Sequence, residues 1–262
     1  MRGNWDMNVE KYIEDGYIIV ETDLSDSDID LINSEVDRCL TIEDKKTQSN
    51  YQYTEFPRLF EAWKQSKPIY NLCKNKNIID AIELLYEEKC FPFSTINFTG
   101  PSNQPLHSDT IHFNTIPQNR MCGVWVALED TNADNGTLSI VPGSHLWSTH
   151  DYQSIGLPHP DTIVDGEKEN YRKYEEFIIS LVKENNAQAV PICLKKGQAL
   201  IWEANLLHGG TFTEFKKSRK VQAIHYFLEN SETYYHPMFS NLEKEDYAYK
   251  WCNDGKRMED YI

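Results

Sequence analysis

The stretch QPLHSDTIHFNT, beginning at Gln104, holds a His-x-Asp pair, His107 and Asp109, with His112 three residues further on. Imidazole and carboxylate together suit a divalent first-row metal, iron or manganese above all. No cysteine stands at ligand spacing, so a zinc–thiolate site is not indicated. Residues two apart on a strand point to the same face, which would let both groups converge on one ion. Two ligands are insufficient, and the same residues read equally well as a polar turn capped by Asp or His. A third ligand has to come from a distant strand. His208, in LIWEANLLHGGTF, follows an apolar strand-like run and precedes Gly209 and Gly210, which let the backbone turn closely around a ligand. Taken singly it reads as a polar residue near a surface. Combined with His107 and Asp109 it completes a two-histidine, one-carboxylate facial triad, which leaves positions open for an organic co-substrate and dioxygen. Arg219 stands eleven residues beyond His208, at the start of the apolar segment VQAIHYF. A guanidinium there can hold the distal carboxylate of a keto acid bidentately. Against this, Lys216, Lys217 and Lys220 surround it, and basic runs are usually solvated faces.

Four pieces of sequence carry a resemblance: LHSDTIHF, VWVALEDTNADNGTLSIVPGSHLW, GQALIWEANLLHGG and SRKVQAIHYF. In this order they resemble the iron(II)/2-oxoglutarate-dependent oxygenases of the phytanoyl-CoA dioxygenase superfamily. The resemblance covers residues 90 to 230 and implies a double-stranded β-helix, or jelly roll, with flanking helices. It implies His107, Asp109 and His208 as iron ligands and Arg219 as the partner of the distal 2-oxoglutarate carboxylate. Trp125 matches an aromatic position near the co-substrate, and Asn97 falls where many members place a polar co-substrate contact; simple strand packing and a solvent-facing asparagine are the alternatives. Gly210 departs from the pattern, because some members carry a hydroxyl residue two positions after the last ligand. Halogenases similar to this family replace the carboxylate ligand with a small residue, so Asp109 favours oxygenation. The implied reaction hydroxylates an unactivated carbon and releases succinate and carbon dioxide, the hard chemistry belonging to iron and co-substrate.

Candidate substrate-pocket residues flank these positions: His112 and Phe113 after the metal pair, Trp202 and Asn205 before His208, and His225 after Arg219. Only some of them can face inward, given strand alternation. Their polar character points to a small polar or specialised metabolite. Desaturation, epimerisation and cyclisation are alternatives within the same chemistry. A jelly-roll metabolite-binding protein without catalysis, and a cupin-like isomerase or a dioxygenase without a keto acid, are alternatives outside it.

The elements that must position these groups divide the chain. Up to residue 90 it reads as mainly helical. After a strand in GYIIVE, Ser25 with Asp28 forms an N-terminal cap, and Ile29, Ile32, Val36 and Leu40 recur at helical spacing. A second helical region is expected after Pro57, with Leu59, Phe60 and Trp63, and a third over Ile78, Ile79, Ile82, Leu85 and Tyr86. Beyond Cys90, short β-branched and aromatic runs separated by Gly, Pro, Asn and Asp turns suggest an antiparallel sandwich or barrel. Residues 150 to 190 interrupt that series with a polar loop and a helix in YEEFIISLVKEN, able to cover a cavity mouth or to decorate the exterior. The turn PGSH is structural, and His145 is not expected to be a ligand.

One domain is expected, since no linker or repeat appears across the 262 residues. The formal net charge of -15 speaks against nucleic acid or an anionic membrane as partner, because phosphates would be repelled. It also offers little attraction for coenzyme A phosphates, unless Lys195, Lys196 and the 216–220 cluster form a local patch. The six scattered cysteines, Cys39, Cys73, Cys90, Cys122, Cys193 and Cys252, read as reduced thiols of a cytoplasmic protein. No signal peptide is expected at the N-terminus, and no run approaches transmembrane length.

Overall fold

The computed structural model describes residues 9–42, 56–158, 167–215 and 217–248; Lys216 and Cys252 lie outside them. Helix α1 (Val9–Asp15) leads into strand β1 (Tyr17–Glu21) and helix α2 (Asp26–Ile42). A reciprocal cap starts α2: Ser25 N–H donates to Asp28 Oδ2 (3.0 Å), and Asp28 N–H donates to Ser25 Oγ (3.2 Å). Strand β2 (Arg58–Phe60) precedes helices α3 (Lys67–Cys73) and α4 (Lys76–Tyr86). The remaining strands are β3 (Cys90–Phe98), β4 (Asn114–Ile116), β5 (Met121–Ala127), β6 (Leu138–Ile140), β7 (Val190–Ile192), β8 (Gln198–Glu203), β9 (His208–Gly210), β10 (Val221–Leu228) and β11 (Thr233–Tyr235). Helix α5 (Glu167–Glu184) separates β6 from β7.

The strands form a six-stranded antiparallel sheet in the order β1-β8-β5-β10-β3-β2, and a smaller sheet ordered β7-β6-β9; β11 pairs with β4. Together the two sheets make a double-stranded β-helix core with helices against its outer face. Alternation along each strand divides the labour. On β5, Val124 and Val126 pack with Ile29, Ile32, Leu72 and Ile82 of the helices. Trp125 and Ala127 point the other way, to meet Leu138 and Ile140 of the smaller sheet. The layer between the sheets is where the site lies.

One expectation about these elements is corrected. The segment after Pro57 is not a helix: Arg58–Phe60 is an edge strand registered on β3 (Arg58 opposite Phe98), followed by a single 3-10 turn at Ala62–Lys64. Leu59 and Trp63 still join the core against the helices, so burial was legible there and the period was not. The described lysines of the candidate basic patch each stand beside a carboxylate. Lys195 pairs with Asp130 (2.8 Å), Lys196 with Asp26 (2.8 Å), Lys217 with Asp134 (3.3 Å) and Lys220 with Asp37 (2.9 Å). Among the described residues no helix is long and apolar enough to cross a membrane.

Candidate metal centre

His107 and His208 meet as an isolated antiparallel bridge, each N–H donating to the other's carbonyl at 2.9 Å. This bridge joins the β3–β4 connection to the first residue of β9. Asp109 does not continue a strand, contrary to the sequence expectation. It opens a 3-10 turn, Asp109–Ile111, capped by Ser108, whose Oγ accepts from Thr110 N–H at 3.1 Å. The turn sends the carboxylate back toward the two imidazoles. One ligand atom from each of His107, Asp109 and His208 lies within 4.8 Å of the others, and all three residues are buried.

Each imidazole is oriented by a backbone carbonyl. Nδ1–H of His107 donates to Pro105 O (2.9 Å), and Nδ1–H of His208 donates to Leu206 O (2.9 Å). A carbonyl only accepts, so each Nδ1 carries a proton and Nε2 is the ring nitrogen left to ligate. The indole Nε1–H of Trp202 donates to Asp109 Oδ2 (2.8 Å), and Asp109 Oδ1 stands 3.5 Å from His208 Nε2. Burial, followed by the neighbouring His208 and His112, pushes His107 well below the usual imidazole range, so it is neutral. Burial alone would raise the Asp109 carboxyl, but the surrounding His208 and His225 overcome it and hold the carboxyl low and ionised. Two imidazoles and one carboxylate, all nitrogen and oxygen donors, fit iron(II).

These groups stand in the wall of a cavity of about 400 Å³. Arg219, 1% exposed, also lines it. Its Nη1 donates to Gly136 O (2.6 Å), its Cζ lies 5.2 Å from the rings of Trp125 and Phe98, and its Nε has no hydrogen-bond partner among the described residues. Burial and then the like charge of Arg58 pull its guanidinium down to about 9, an unfavourable setting for a cation that a bound carboxylate would relieve.

Of the other residues singled out from sequence, Trp125, Trp202, His112, Phe113 and His225 line the same cavity. His225 Nε2 comes within 3.7 Å of Asp109 Oδ2. Asn97 and Asn205 do not line it. Asn97 alternates to the helical face of β3, where its Nδ2 donates to Gln222 Oε1 (3.1 Å) and Gln222 in turn bonds Ile69 O (3.2 Å). Asn205 lies behind the metal turn, accepting from Ser108 Oγ (3.3 Å) and donating to Trp147 O (2.8 Å). His145 bonds Ile13 O (3.0 Å), away from the ligands. Sequence reasoning missed Gln104 and Tyr171. The Gln104 amide donates to His107 Nε2 (3.2 Å) and to Tyr171 OH (3.2 Å), and Tyr171 also bonds His112 Nε2 (3.2 Å). Gln104 stood in the opening stretch and had a signal, its closeness to His107. Tyr171 comes from the inserted helix α5 and had none.

The sequence profile of the family "Phytanoyl-CoA dioxygenase (PhyH)" matches residues 12–221, most of the chain and all of the triad. The chain belongs to the phytanoyl-CoA dioxygenase family. Human peroxisomal phytanoyl-CoA dioxygenase is 22% identical over 236 residues, covering 82% of this chain; this phytanoyl-CoA dioxygenase family member spans 66% of the human protein's length, just under two thirds. Among solved structures, the non-heme alpha ketoglutarate dependent epimerase SnoN from nogalamycin biosynthesis aligns with a TM-score of 0.63 at 20% identity, covering 84% of this chain and 81% of its own. The carbocyclase SnoK of the same biosynthesis aligns at 0.65 and 16% identity, covering 86% and 84%. These likenesses carry the fold, and the double-stranded β-helix of the family is the one observed here. The buried His–Asp–His triad is the donor set that iron(II)/2-oxoglutarate-dependent catalysis in this family uses.

Proposed function

We propose that this protein is an iron(II)/2-oxoglutarate-dependent oxygenase that oxidises a carbon–hydrogen bond of a small molecule bound in the cavity. The observation that carries this is the convergence of His107, Asp109 and His208, each imidazole oriented by a backbone carbonyl, in the wall of a cavity that also holds the buried Arg219. His107, Asp109 and His208 would hold the iron, and Arg219 the distal carboxylate of 2-oxoglutarate, with Trp125 packed beside it. Iron and 2-oxoglutarate supply, with dioxygen, the power to take hydrogen from an unactivated carbon, succinate and carbon dioxide being released. The protein's part is positioning. Trp202 fixes the Asp109 carboxylate, and the two carbonyl-bound Nδ1–H groups fix the rings. His112, Tyr171 and Gln104 form a polar rail facing the substrate side, while Phe113 and Met238 supply apolar wall.

The fate of the substrate after hydrogen removal depends on how the reacting carbon is held. SnoN and SnoK are an epimerase and a carbocyclase, so epimerisation or ring closure is better supported than simple hydroxylation. The pairing of Lys195, Lys196, Lys217 and Lys220 with carboxylates argues for a compact metabolite over a coenzyme A thioester. The test supplies iron(II), 2-oxoglutarate, oxygen and ascorbate, the reductant that a redox-neutral epimerisation needs for its remaining two electrons, with a metabolite library, measuring succinate and product mass. Succinate formation that His107→Ala abolishes and Cys39→Ala retains is expected. A product of unchanged mass marks epimerisation, loss of two hydrogens marks cyclisation or desaturation, and gain of one oxygen marks hydroxylation. Failure of the purified protein to bind iron(II) or 2-oxoglutarate would overturn the reading.

A further inference from the structure

The segment leading from β3 to His107 presses directly on β9. Gly210 N–H donates to Gln104 O (2.9 Å). A side-chain carbon on Gly210 would lie 2.5 Å from Ser102 Oγ, 2.9 Å from Asn103 N and 3.2 Å from Gln104 N. Position 210 therefore has no room for a side chain, and the space such a side chain would enter is held by the Ser102 hydroxyl. The pressing segment is fixed in place. Asn103, at φ 46°, donates from Nδ2 to Thr213 O (3.2 Å) and accepts from Thr213 N–H (3.2 Å), locking the residue after Ser102 to the chain leaving β9.

A separate set of contacts brings Ser102 to the Arg219 corner of the cavity. Arg219 donates to Gly136 O, and a Cβ on Gly136 would lie 2.6 Å from Pro101 Cβ, so Gly136 touches both the guanidinium and the residue preceding Ser102. Ser102, 6% exposed, lines the cavity with Arg219 and Gly210. Of the other hydroxyls in that wall, Ser94 sits opposite His225 on β10 and Tyr171 is engaged with Gln104 and His112. Ser102 is the hydroxyl placed beside Gly210.

We infer that Ser102 Oγ and the Arg219 guanidinium together seat the distal carboxylate of 2-oxoglutarate, the hydroxyl arriving from the β3–His107 segment instead of from the residue two places beyond His208. The inference rests on the co-substrate reading above. A carboxylate accepts from a guanidinium and from a hydroxyl at once, and burial strengthens both bonds. The close approach that excludes a side chain at Gly210 is what delivers the replacement, so the departure at Gly210 and the presence of Ser102 are one feature.

The test is calorimetric binding to the full chain loaded with Mn(II), using 2-oxoglutarate and 2-oxopentanoate, which keeps the keto-acid head and the five-carbon length but ends in a methyl group. Ser102→Ala is expected to weaken 2-oxoglutarate binding about 10- to 100-fold, the range for a hydrogen bond to a charged acceptor. It should leave the 2-oxopentanoate and Mn(II) affinities and the thermal midpoint without metal unchanged. If the variant binds 2-oxoglutarate within twofold of wild type, or loses both keto acids equally, Ser102 does not seat the carboxylate while the co-substrate reading stands. Absence of 2-oxoglutarate binding by the wild-type protein overturns both.

Discussion

At the scale of single residues, the pattern of burial separates groups prepared for a ligand from groups that are merely enclosed. Glu203 is of the second kind. Burial raises its carboxyl to about 7, opposed only by the Asn205 N–H that donates to its Oε2 at 3.2 Å. A raised folded-state value means that the native protein holds this proton more tightly than the unfolded chain, whose carboxyl titrates near 4.5. The contribution is therefore full below pH ~4.5 and is lost as pH rises through about 7, up to roughly 3 kcal/mol in all. Glu203→Gln should flatten that component of the stability–pH curve and be more stable than wild type at pH 8. Urea melts of both proteins at pH 5, 6, 7 and 8 check this; parallel curves would show that Glu203 is solvated. The same scale shows what residue types reveal. His107, Asp109 and His208 were readable because few combinations of spacing and type hold a first-row metal. Asn97 and Asn205 misled because an asparagine on a strand or before a ligand looks the same whichever face it takes. Alternation decides the face, and its phase is set by partners such as Gln222 and Ser108 that lie far away in sequence.

Between elements, one glycine makes the metal site possible. Gly123 on β5 faces Trp202 on β8, and a Cβ there would stand 2.1 Å from the indole Cζ2. The absent side chain is the space in which the indole lies flat enough to reach Asp109 with its Nε1–H. Gly123→Ala should therefore push Trp202 off the carboxylate. The expected losses are ~1–3 kcal/mol of stability from overpacking and about 10- to 100-fold in Mn(II) affinity from the displaced support. Trp202→Phe, which keeps a ring but deletes the N–H, should reproduce the affinity loss with less than the full packing penalty. Metal titration and denaturant melts on both variants separate the two effects; unaltered Mn(II) binding in Trp202→Phe would refute the role given to the indole. Element types were mostly legible, since β3, β5, β8 and β10 are dense in β-branched and aromatic residues and α2 carries a regular apolar stripe. β2 was not, because three residues are too short for alternation to show against helical spacing, and only the register with β3 settles it. The turn at Asp109 was hidden for a similar reason: His-x-Asp fits a strand, and the 3-10 turn arises from Ser108 capping Thr110.

For the molecule as a whole, the ligands are distributed so that one ion spans separate parts of the fold. His208 belongs to the smaller sheet, His107 and Asp109 to the β3–β4 connection, and Trp202, which steadies Asp109, to the large sheet. The unfolded chain cannot bring these together, so metal binding favours the native state by an amount set by free metal over its dissociation constant. At a hundredfold excess over that constant the gain is about 2.7 kcal/mol. For a chain of this length the thermal midpoint should rise by roughly 5–10 °C. His208→Ala removes the ligand that ties the smaller sheet to the rest and should abolish the rise, while Arg219→Ala, which removes no metal ligand, should leave the Mn(II)-dependent rise intact and lose only the further increment caused by 2-oxoglutarate. Scanning fluorimetry of the three proteins, without metal, with Mn(II), and with Mn(II) and 2-oxoglutarate, distinguishes the two roles. A metal-dependent rise of wild-type size in His208→Ala would mean that the ion binds elsewhere, on the acidic surface that the net charge of -15 provides.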